Sequence, residues 1–327
     1  MQLGHIPRAR LGFWPTPVHA LPRLTEKLGG PDLWIKRDDQ SGVAAGGNKV
    51  RKLEFLLGQA LEEGVDVLLT TGGPQSNHAR MTAASGARLG LDVVLVLRGS
   101  DPGARQGNLL LDEILGAKIV FVEGDRDAMA VKMDEMAADL RAQGRNPSVI
   151  HLGGSVPVGC LGFVAGFLEL LEQLYVLGTS VDHLFVTAGS MGTAAGIVLG
   201  AEATQSGMEI HLVSVSPSAE QVREETLRLA RETAELLGWR VDLDPDRLHV
   251  YGDYIGEGYA IPTESGRRAI KAVARSEGII LDPVYTGKTM AGLIDQVEKG
   301  RFSQGETVLF WHTGGLPGLF AIGLGED

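Results

Sequence analysis

The chain has 327 residues, which at roughly 100–200 residues per domain predicts about two domains with a sizeable core. Hydrophobic residues make up 44% and charged residues 22%, a composition too apolar for general disorder. The balance of 30 Lys+Arg against 41 Asp+Glu gives a formal charge of -11, which argues against a nucleic-acid-binding surface over the whole protein but leaves local anion sites open.

The number of cysteines and the length of the apolar runs further limit which classes of protein the chain can belong to. The single Cys160 excludes an intrachain disulfide, and no cluster of Cys and His has zinc spacing, so we expect no metal. Residues 1–13 include charged and polar side chains rather than the apolar block of a signal peptide, and no 18 consecutive residues are apolar. We therefore expect a cytoplasmic protein that binds neither membranes nor nucleic acid.

Apolar runs of strand length alternate with segments of helical period from Asn48 onward. In chain order, the pattern predicts a helix near 49–63, a strand over Val65–Thr71, a helix over Ala79–Leu89, strands over Asp92–Leu97 and Ala117–Val122, and a helix over Asp127–Arg141. It then predicts a strand over Ser148–Leu152, a helix over 160–174, a strand over His183–Thr187, a helix over 193–204, a strand over Glu209–Ser214, an amphipathic helix over 218–237 and a strand over Thr307–His312. Repeated βαβ units predict largely parallel sheets with helices on both faces.

A lysine stands directly after a flexible turn, in Gly46-Gly47-Asn48-Lys49, at the start of the first predicted helix. The helix dipole and the neighbouring Arg51 and Lys52 should disfavour its ammonium form and lower its pKa. A neutral lysine amine can attack a carbonyl, as Schiff-base chemistry requires. On position alone, a solvated or structural Lys49 stays an open alternative.

The segment 187–193 joins a predicted strand to a predicted helix and is rich in glycine and hydroxyl groups. Backbone N–H groups at such a helix start, with the hydroxyls of Ser190 and Thr193, can form a phosphate cradle. The glycine spacing is not G-x-G-x-x-G, which disfavours a dinucleotide site. Residues 188–192 also approach the G-x-S-x-G nucleophile elbow without its first glycine, so a serine hydrolase using Ser190 is an alternative.

Three further polar segments stand at predicted turns. The loop 72–78 carries Gln75, Ser76, Asn77 and His78 between a strand and a helix, where α/β proteins bind small ligands. Tyr259 and Tyr285, and the segment 312–315 after the last strand, are typical of packing residues when taken singly. A non-catalytic amino-acid or phosphate-binding protein would also suit these segments.

Five motifs occur in this order across almost the whole chain: Trp34-Ile-Lys-Arg-Asp-Asp39, Gly46-Gly-Asn-Lys-Val-Arg-Lys-Leu-Glu54, Gln75-Ser-Asn-His78, Leu281-Asp-Pro-Val-Tyr-Thr-Gly-Lys288 and His312-Thr-Gly-Gly315. Together they closely resemble the pyridoxal-phosphate enzymes of the 1-aminocyclopropane-1-carboxylate deaminase / D-cysteine desulfhydrase family. The resemblance implies an α/β protein of the tryptophan-synthase-β-like architecture, fold type II, with two three-layer domains and mostly parallel open sheets. It further implies a larger cofactor domain of residues 1–48 plus 153–327, a smaller substrate-side domain of residues 49–152, and a homodimer.

The same resemblance implies roles for site residues. Lys49 matches the Schiff-base lysine and the base that removes the substrate Cα proton, and Asn77 matches the contact to the cofactor's phenolic oxygen. Ser76, with Asn77 and His78 beside it, matches the substrate carboxylate site and can assist proton transfer. The substrate-side tyrosines match Tyr259 and Tyr285. The phosphate cup, supported by Lys52, matches Ala188, Gly189, Ser190, Met191, Gly192 and Thr193.

Two positions distinguish members of the family. Ring-opening deaminases carry Glu and Leu where this chain has Thr286 and Thr313, whereas desulfhydrase-type members carry hydroxyl residues at both. Neutral hydroxyls beside the pyridine nitrogen make a weaker electron sink than a carboxylate, and a weaker sink suffices to expel a good sulfur leaving group. We therefore expect D-cysteine to be converted to pyruvate, sulfide and ammonia. Cysteate sulfo-lyase and 1-aminocyclopropane-1-carboxylate deaminase activities stay alternatives, because the segments 154–159 and 315–318 differ from the desulfhydrase pattern.

Overall fold

A computed structural model describes residues 3–324 of the chain, as a mixed α/β structure with two sheets. The strands are β1 (Val18–Ala20), β2 (Asp32–Arg37), β3 (Val67–Gly72), β4 (Asp92–Arg98), β5 (Lys118–Val122), β6 (Pro147–Ile150), β7 (His183–Ala188), β8 (Glu209–Ser214), β9 (Leu248–Tyr251) and β10 (Thr307–His312). The helices are α1 (Pro22–Leu28), α2 (Lys49–Glu62), α3 (Asn77–Leu89), α4 (Gly107–Ile114), α5 (Arg126–Ala142), α6 (Pro157–Leu177), α7 (Gly192–Ala203), α8 (Ala219–Leu237), α9 (Glu264–Glu277), α10 (Thr286–Glu298) and α11 (Leu316–Ile322).

The larger sheet has the order β1-β2-β10-β7-β8-β9 and the smaller has the order β5-β4-β3-β6. Every pairing is parallel except that of β1 with β2. The central strands β3, β7 and β10 are buried along their whole length, which is why they appear in the sequence as unbroken apolar runs rather than as alternating ones. The predicted parallel α/β fold class is thereby confirmed.

Every predicted element is present, and several boundaries differ by two or three residues, such as the strand predicted from Val65, which begins at Val67, and the helix predicted over 160–174, which spans Pro157–Leu177. The strand predicted over Ser148–Leu152 ends at Ile150, and Leu152–Gly154 forms a short 3-10 turn instead. Gly153 has a φ of 69° there, in the left-handed region, which ends the extended backbone. The hydrophobic periodicity did not predict several elements that the structure contains, namely β1, β2, β9, α1, α4, α9, α10 and α11.

The division into residues 1–48 plus 153–327 and residues 49–152 stays a prediction. Within residues 3–324, the strands between 67 and 150 all belong to the smaller sheet and the other strands all belong to the larger one. Residues 1–2 and 325–327 lie outside the described part of the chain. Helix α2 carries the chain from the larger sheet to the smaller one, so its first turn stands between the two.

One helix, α6, is long and apolar enough to cross a membrane by length and composition alone. Half of its most apolar 18-residue window is buried inside the protein, against α2, α7 and α8. This burial is that of a core helix.

A buried ionic network fixes α2 against the larger sheet. The Arg51 guanidinium donates to Asp38 Oδ1 and Oδ2, both at 2.8 Å, and to Glu169 of α6 at 2.9 and 3.0 Å. It lies 4.0 Å from the ring centroid of Trp14. Gly162 of α6 allows the close approach, since a Cβ there would lie 2.1 Å from the Arg51 carbonyl oxygen. The network therefore sets where the first turn of α2 lies.

Replacing Arg51 by methionine leaves Asp38 buried without its cationic partner. We expect Arg51→Met to lower the free energy of unfolding by about 3–5 kcal/mol, because an unpaired buried charge is far more costly than a lost surface pair. Equilibrium unfolding in urea measures the difference. Arg105→Met, which removes a solvent-exposed pair with Asp101, is the matched control and should cost much less. Equal losses in the two variants would contradict the structural role of Arg51.

Candidate active site

The polar segments singled out in the sequence meet where the carboxyl ends of strands face the first turns of helices. Lys49 Nζ, at the start of α2, lies 3.5 Å from Ser190 Oγ, in the turn between β7 and α7, although the two residues are far apart in the chain. The Asn48 N–H donates to the Thr313 carbonyl oxygen at 2.9 Å, and Asn48 Nδ2 donates to Thr193 Oγ1 at 3.0 Å. Segments following β7 and β10 and the start of α2 thus surround one site, as expected for a ligand site in parallel α/β sheets.

The turn before Lys49 needs glycine. Gly46 and Gly47 have φ values of 69° and 129°, and a Cβ on Gly46 would lie 1.8 Å from the Asp39 carbonyl oxygen. The turn places Lys49 at the first position of α2. Burial lowers the pKa of Lys49 to about 8. The expected contributions of Arg51 and Lys52 to this lowering are both absent. For Arg51 the reason is that Asp38 and Glu169 neutralise its guanidinium.

Lys52 lies one turn along α2 and faces the start of α7. Its Nζ donates to the Gly153 carbonyl oxygen at 3.1 Å and to Ser155 Oγ at 3.0 Å. Burial, and secondly the Lys49 charge, hold the pKa of Lys52 well below its ordinary value. Gly192, the first residue of α7, approaches it so closely that a Cβ there would lie 2.7 Å from Lys52 Nζ.

The start of α7 has the features of an anion-binding site. Met191 has a left-handed φ of 55° and provides no side-chain cap, and the N–H groups of Thr193 and Ala194 at the start of this 12-residue helix have no acceptor among the described residues. Ser155 Oγ bridges this turn, accepting from the Gly192 N–H at 3.3 Å and donating to Ser190 Oγ at 2.8 Å. The segment Ala188–Thr193 therefore forms a cradle for a phosphate-sized group.

The charges around the cradle are unbalanced. Lys49 and Lys52 lie beside the N-termini of α2 and α7, and each helix N-terminus carries a partial positive charge. In residues 3–324, no carboxylate forms a hydrogen bond or an ion pair with either lysine. A bound anion would restore the balance, and the residues present fit a molecule that combines a phosphate with a carbonyl able to react with an amine.

The loop before α3 contributes side chains with free hydrogen-bonding capacity. Ser76 caps α3 by accepting from the Ala79 N–H at 3.2 Å, which leaves its hydroxyl proton available. Asn77 Oδ1 accepts from Asn108 Nδ2 at 3.0 Å, while Asn77 Nδ2 has no protein acceptor in the described part of the chain. The Asn77 amide is therefore held by its oxygen and can donate from its nitrogen.

His78 differs from its neighbours in being almost completely buried. Its Nε2 lies 3.0 Å from Thr70 Oγ1, which itself donates to the Ile150 carbonyl oxygen, so Nε2 carries the proton and Nδ1 accepts. Nδ1 has no partner among the described residues, and burial keeps the pKa of His78 well below its ordinary value. Contact between a ligand and His78 has to be made through this neutral Nδ1.

Tyr259 and Tyr285 come together although they belong to separate segments. Their hydroxyls are hydrogen-bonded to each other, and their rings meet edge to face with centroids 6.0 Å apart. Desolvation raises the pKa of both phenols, most strongly that of Tyr285. Both hydroxyls therefore stay protonated near neutral pH, and the pair can donate a proton.

Thr286 and Thr313 differ in their surroundings. The Thr286 hydroxyl donates to Asp282 Oδ1 at 2.6 Å and accepts from the Asp282 N–H at 2.8 Å. The Thr286 hydroxyl proton therefore lies on the Asp282 carboxylate side, and only one lone pair of the hydroxyl oxygen can face a ligand. The Thr313 hydroxyl has no partner in the described part of the chain, so it can donate or accept.

Three residues of this region escaped the sequence analysis as site residues: Asn48, Ser155 and Asp282. Asn48 and Ser155 hold the start of α7 from two sides. Asp282, buried, accepts from the N–H groups of residues 284, 285 and 286 and fixes the first turn of α10. The Gly153-Gly154-Ser155 run was the available signal for Ser155, since it repeats the glycine and hydroxyl composition of 189–193.

The lowered pKa of Lys49 predicts unusual amine reactivity in the cofactor-free protein. Only the neutral amine reacts with an electrophile, so the Lys49 labelling rate should rise with pH with a midpoint of about 8. An ordinary lysine, with a pKa of about 10.4, gives a midpoint more than two units higher. Labelling with limiting reagent across a pH series, read out by peptide mass spectrometry, measures the midpoint. A value near that of an ordinary lysine would contradict the lowered pKa of this half-buried lysine.

Comparisons with known proteins agree with this geometry. Residues 9–314 match the family model described as pyridoxal-phosphate dependent enzyme. A Pyrococcus abyssi protein with the provisional name 1-aminocyclopropane-1-carboxylate deaminase is 42% identical over 322 residues, 98% of this chain and 95% of that protein. A D-cysteine desulfhydrase of Salmonella typhi is 41% identical over 330 residues, 98% of each chain.

Solved structures give the same result. The crystal structure of an ACC deaminase homologue has a TM-score of 0.90 and 40% identity, covering 98% of this chain and 95% of that one. A threonine deaminase from Solanum lycopersicum shares the fold alone, with a TM-score of 0.66 and 17% identity over 92% of this chain and 79% of that one. The predicted fold type and the predicted pyridoxal phosphate cofactor are confirmed. The chain belongs to the pyridoxal-phosphate-dependent enzymes of the 1-aminocyclopropane-1-carboxylate deaminase / D-cysteine desulfhydrase family.

Proposed function

We propose that this enzyme is a D-cysteine desulfhydrase, a lyase that converts D-cysteine to pyruvate, sulfide and ammonia. The observation that carries the proposal is the pair of hydroxyl residues, Thr286 and Thr313, at positions where ring-opening members of the family carry Glu and Leu. The 41% identity to D-cysteine desulfhydrases over nearly the full length supports it. The 42% identity to a relative named for the deaminase activity leaves that reaction as the second candidate.

Lys49 is the proposed catalytic centre. Pyridoxal phosphate, when bound, supplies an electron sink for the bonds at the substrate Cα. Lys49 Nζ would hold the aldehyde carbon of the cofactor and, once displaced by substrate, accept the Cα proton. A pKa of about 8 suits both roles, because part of the population is a neutral amine at physiological pH.

The other residues of the site would bind and orient. The N–H groups and hydroxyls of 188–193, with Lys52 and Ser155 beside them, would hold the phosphate, and the free Nδ2 of Asn77 would donate to the phenolic oxygen. Ser76, with an available hydroxyl proton, would bind the substrate carboxylate and assist proton transfer. The Tyr259–Tyr285 pair would donate a proton to the departing sulfur.

Because the chain belongs to a family of lyases and deaminases, the serine hydrolase hypothesis is no longer favoured. Ser190 Oγ has Ser155 and Lys49 as its partners, and no histidine in residues 3–324 is hydrogen-bonded to it. Cysteate sulfo-lyase activity stays an alternative within the proposal. It would use the same residues and release sulfite in place of sulfide.

Keto-acid release from a panel of amino acids tests the proposed substrate. D-Cysteine should give the highest kcat/KM, with sulfide formed in equal amount to pyruvate, among D-cysteine, L-cysteine, L-cysteate, D-serine and 1-aminocyclopropane-1-carboxylate. Lys49→Ala should abolish turnover of every substrate, whereas Lys27→Ala, which removes an exposed lysine of α1, should not. A preference for the cyclopropane substrate or for cysteate would refute the D-cysteine assignment.

The free hydroxyl of Thr313 gives a second prediction. Thr313→Leu should reduce kcat/KM for D-cysteine about twofold to thirteenfold, which corresponds to one lost hydrogen bond of about 0.5–1.5 kcal/mol. Thr313→Ser keeps the hydroxyl and is the matched control. Steady-state kinetics of both variants, after equal cofactor content has been established from the visible absorbance, provide the measurement. If the leucine variant equals the serine variant, Thr313 has no role in the reaction.

We also propose that the enzyme works as a homodimer in the cytoplasm, with residues 1–48 plus 153–327 as the cofactor domain and 49–152 as the substrate-side domain. The exposed apolar residues at the end of α6, Tyr175, Val176 and Leu177, support an association surface, since apolar patches of this kind commonly mark interfaces. The domain division is supported by the assignment of strands to sheets, because β3 to β6 form the smaller sheet and the other strands form the larger one.

A further inference from the structure

A second cluster of functional side chains lies on the larger sheet, away from Lys49. His183 begins β7, Glu209 begins β8, and His211 follows two residues later. The strand register pairs His183 with Glu209, so the three side chains emerge on one face of the sheet. Because parallel strands begin at one edge and the proposed catalytic residues follow the other edge, this cluster is separate from the active site.

The distances within the cluster are those between ligands of one metal ion. His183 Nδ1 lies 3.1 Å from His211 Nε2 and 3.5 Å from Glu209 Oε2, and His211 Nε2 lies 4.0 Å from Glu209 Oε2. Ligands about 2.0–2.1 Å from a tetrahedral zinc ion are separated by about 3.3 Å. Small movements of the carboxylate therefore suffice to centre an ion among the three atoms.

The hydrogen bonding of His183 points to a missing ligand. His183 is 8% exposed, and its Nε2 has no hydrogen-bond partner in the part of the chain that the structure describes. Nε2 faces Glu306 Oε1 at 3.6 Å. With the proton on Nδ1, toward His211, Nε2 and the carboxylate are two acceptors facing each other. Coordination of an ion by Nδ1 would transfer that proton to Nε2, which could then donate to Glu306.

The remaining neighbours orient the other two ligands. His211 Nδ1 lies 2.9 Å from the Tyr251 hydroxyl, which leaves Nε2 with a lone pair when Nδ1 donates. His249 Nε2 donates to Glu209 Oε2 at 2.9 Å, since its Nδ1 accepts from Arg301 at 3.1 Å. Outer partners of this kind are typical of histidine and carboxylate metal ligands.

The cluster is bordered by apolar rings on one side and is open to solvent on the other. The Phe302 ring lies 4.7 Å from the His183 ring, and the Phe185 ring stacks on His211 at 4.5 Å. The Glu209 side chain is 43% exposed, so an ion can enter from solvent on that side. The neighbouring cation Arg301 is hydrogen-bonded to His249 Nδ1, the ring nitrogen that does not contact Glu209.

We propose that His183 Nδ1, His211 Nε2 and Glu209 Oε2 form a binding site for one divalent ion of the zinc type, with water in the fourth position. Two imidazoles and one carboxylate favour zinc and similar borderline ions over magnesium or calcium, which prefer oxygen ligands. The ion would connect β7 to β8 and, through Glu306, the loop before β10. It would stabilise the larger sheet without entering the reaction.

Zinc titration of the chelator-treated holoenzyme by calorimetry tests this site. We expect one zinc ion per chain, and an affinity at least tenfold weaker in Glu209→Gln, which keeps a hydrogen-bonding side chain but loses the anionic ligand. Glu224→Gln, the same change at an exposed position of α8, is the matched control and should bind as the wild type does. Binding to the wild type should also raise its Tm.

Cobalt spectroscopy gives a readout independent of folding stability. The wild type loaded with Co²⁺ should show intense d–d absorption typical of a four-coordinate ion, and Glu209→Gln and His183→Gln should lose it while retaining the cofactor's visible band. Absence of stoichiometric zinc binding by the wild type would overturn the proposal. Zinc binding with an unchanged affinity in Glu209→Gln would also overturn the proposal. The ion would then be bound at another place, such as the cofactor.

Discussion

The site depends on an excess of positive charge that the protein does not neutralise. Lys49 and Lys52 are desolvated at the start of α2, beside the uncapped first turn of α7, and no carboxylate in the described residues pairs with either. Such an arrangement is unfavourable in a protein without its ligand, because burial and the helix dipoles both oppose the ammonium form. In the proposed function, a bound phosphate would offset this cost, and before the phosphate binds the same desolvation keeps the Lys49 amine partly neutral. The proposed anion binding and the proposed amine reactivity would then have one physical origin.

The rest of the fold maintains that arrangement. Arg51, on the same turn of α2, would add a third uncompensated cation if Asp38 and Glu169 did not neutralise it. The glycines of α6 let its backbone approach α2 closely, and parallel strands bring the loops after β7 and β10 to the same edge. Stability and function are therefore coupled in the first turn of α2, where alternate side chains serve the core and the site.

Periodicity in the sequence predicted most of the parallel core, and the family resemblance carried by the five motifs implied the cofactor. Periodicity did not predict the features that depend on side-chain contacts or on strand pairing. Helix α10 begins in a Pro-Val-Tyr segment that lacks a helix-start pattern, and the Asp282 carboxylate organises its first turn. Sequence could not show that Thr286 gives its proton to Asp282, since that depends on side-chain orientation. The cluster of His183, Glu209 and His211 has no local spacing signal either, because strand register alone brings it together.

Reduction of the holoenzyme with borohydride, followed by peptide mapping, tests most directly the claim that the desolvated amine at the start of α2 carries the cofactor. The account predicts a single stable adduct on Lys49 at one equivalent per chain. An adduct on Lys52 or on any other lysine, with Lys49 unmodified, would contradict it.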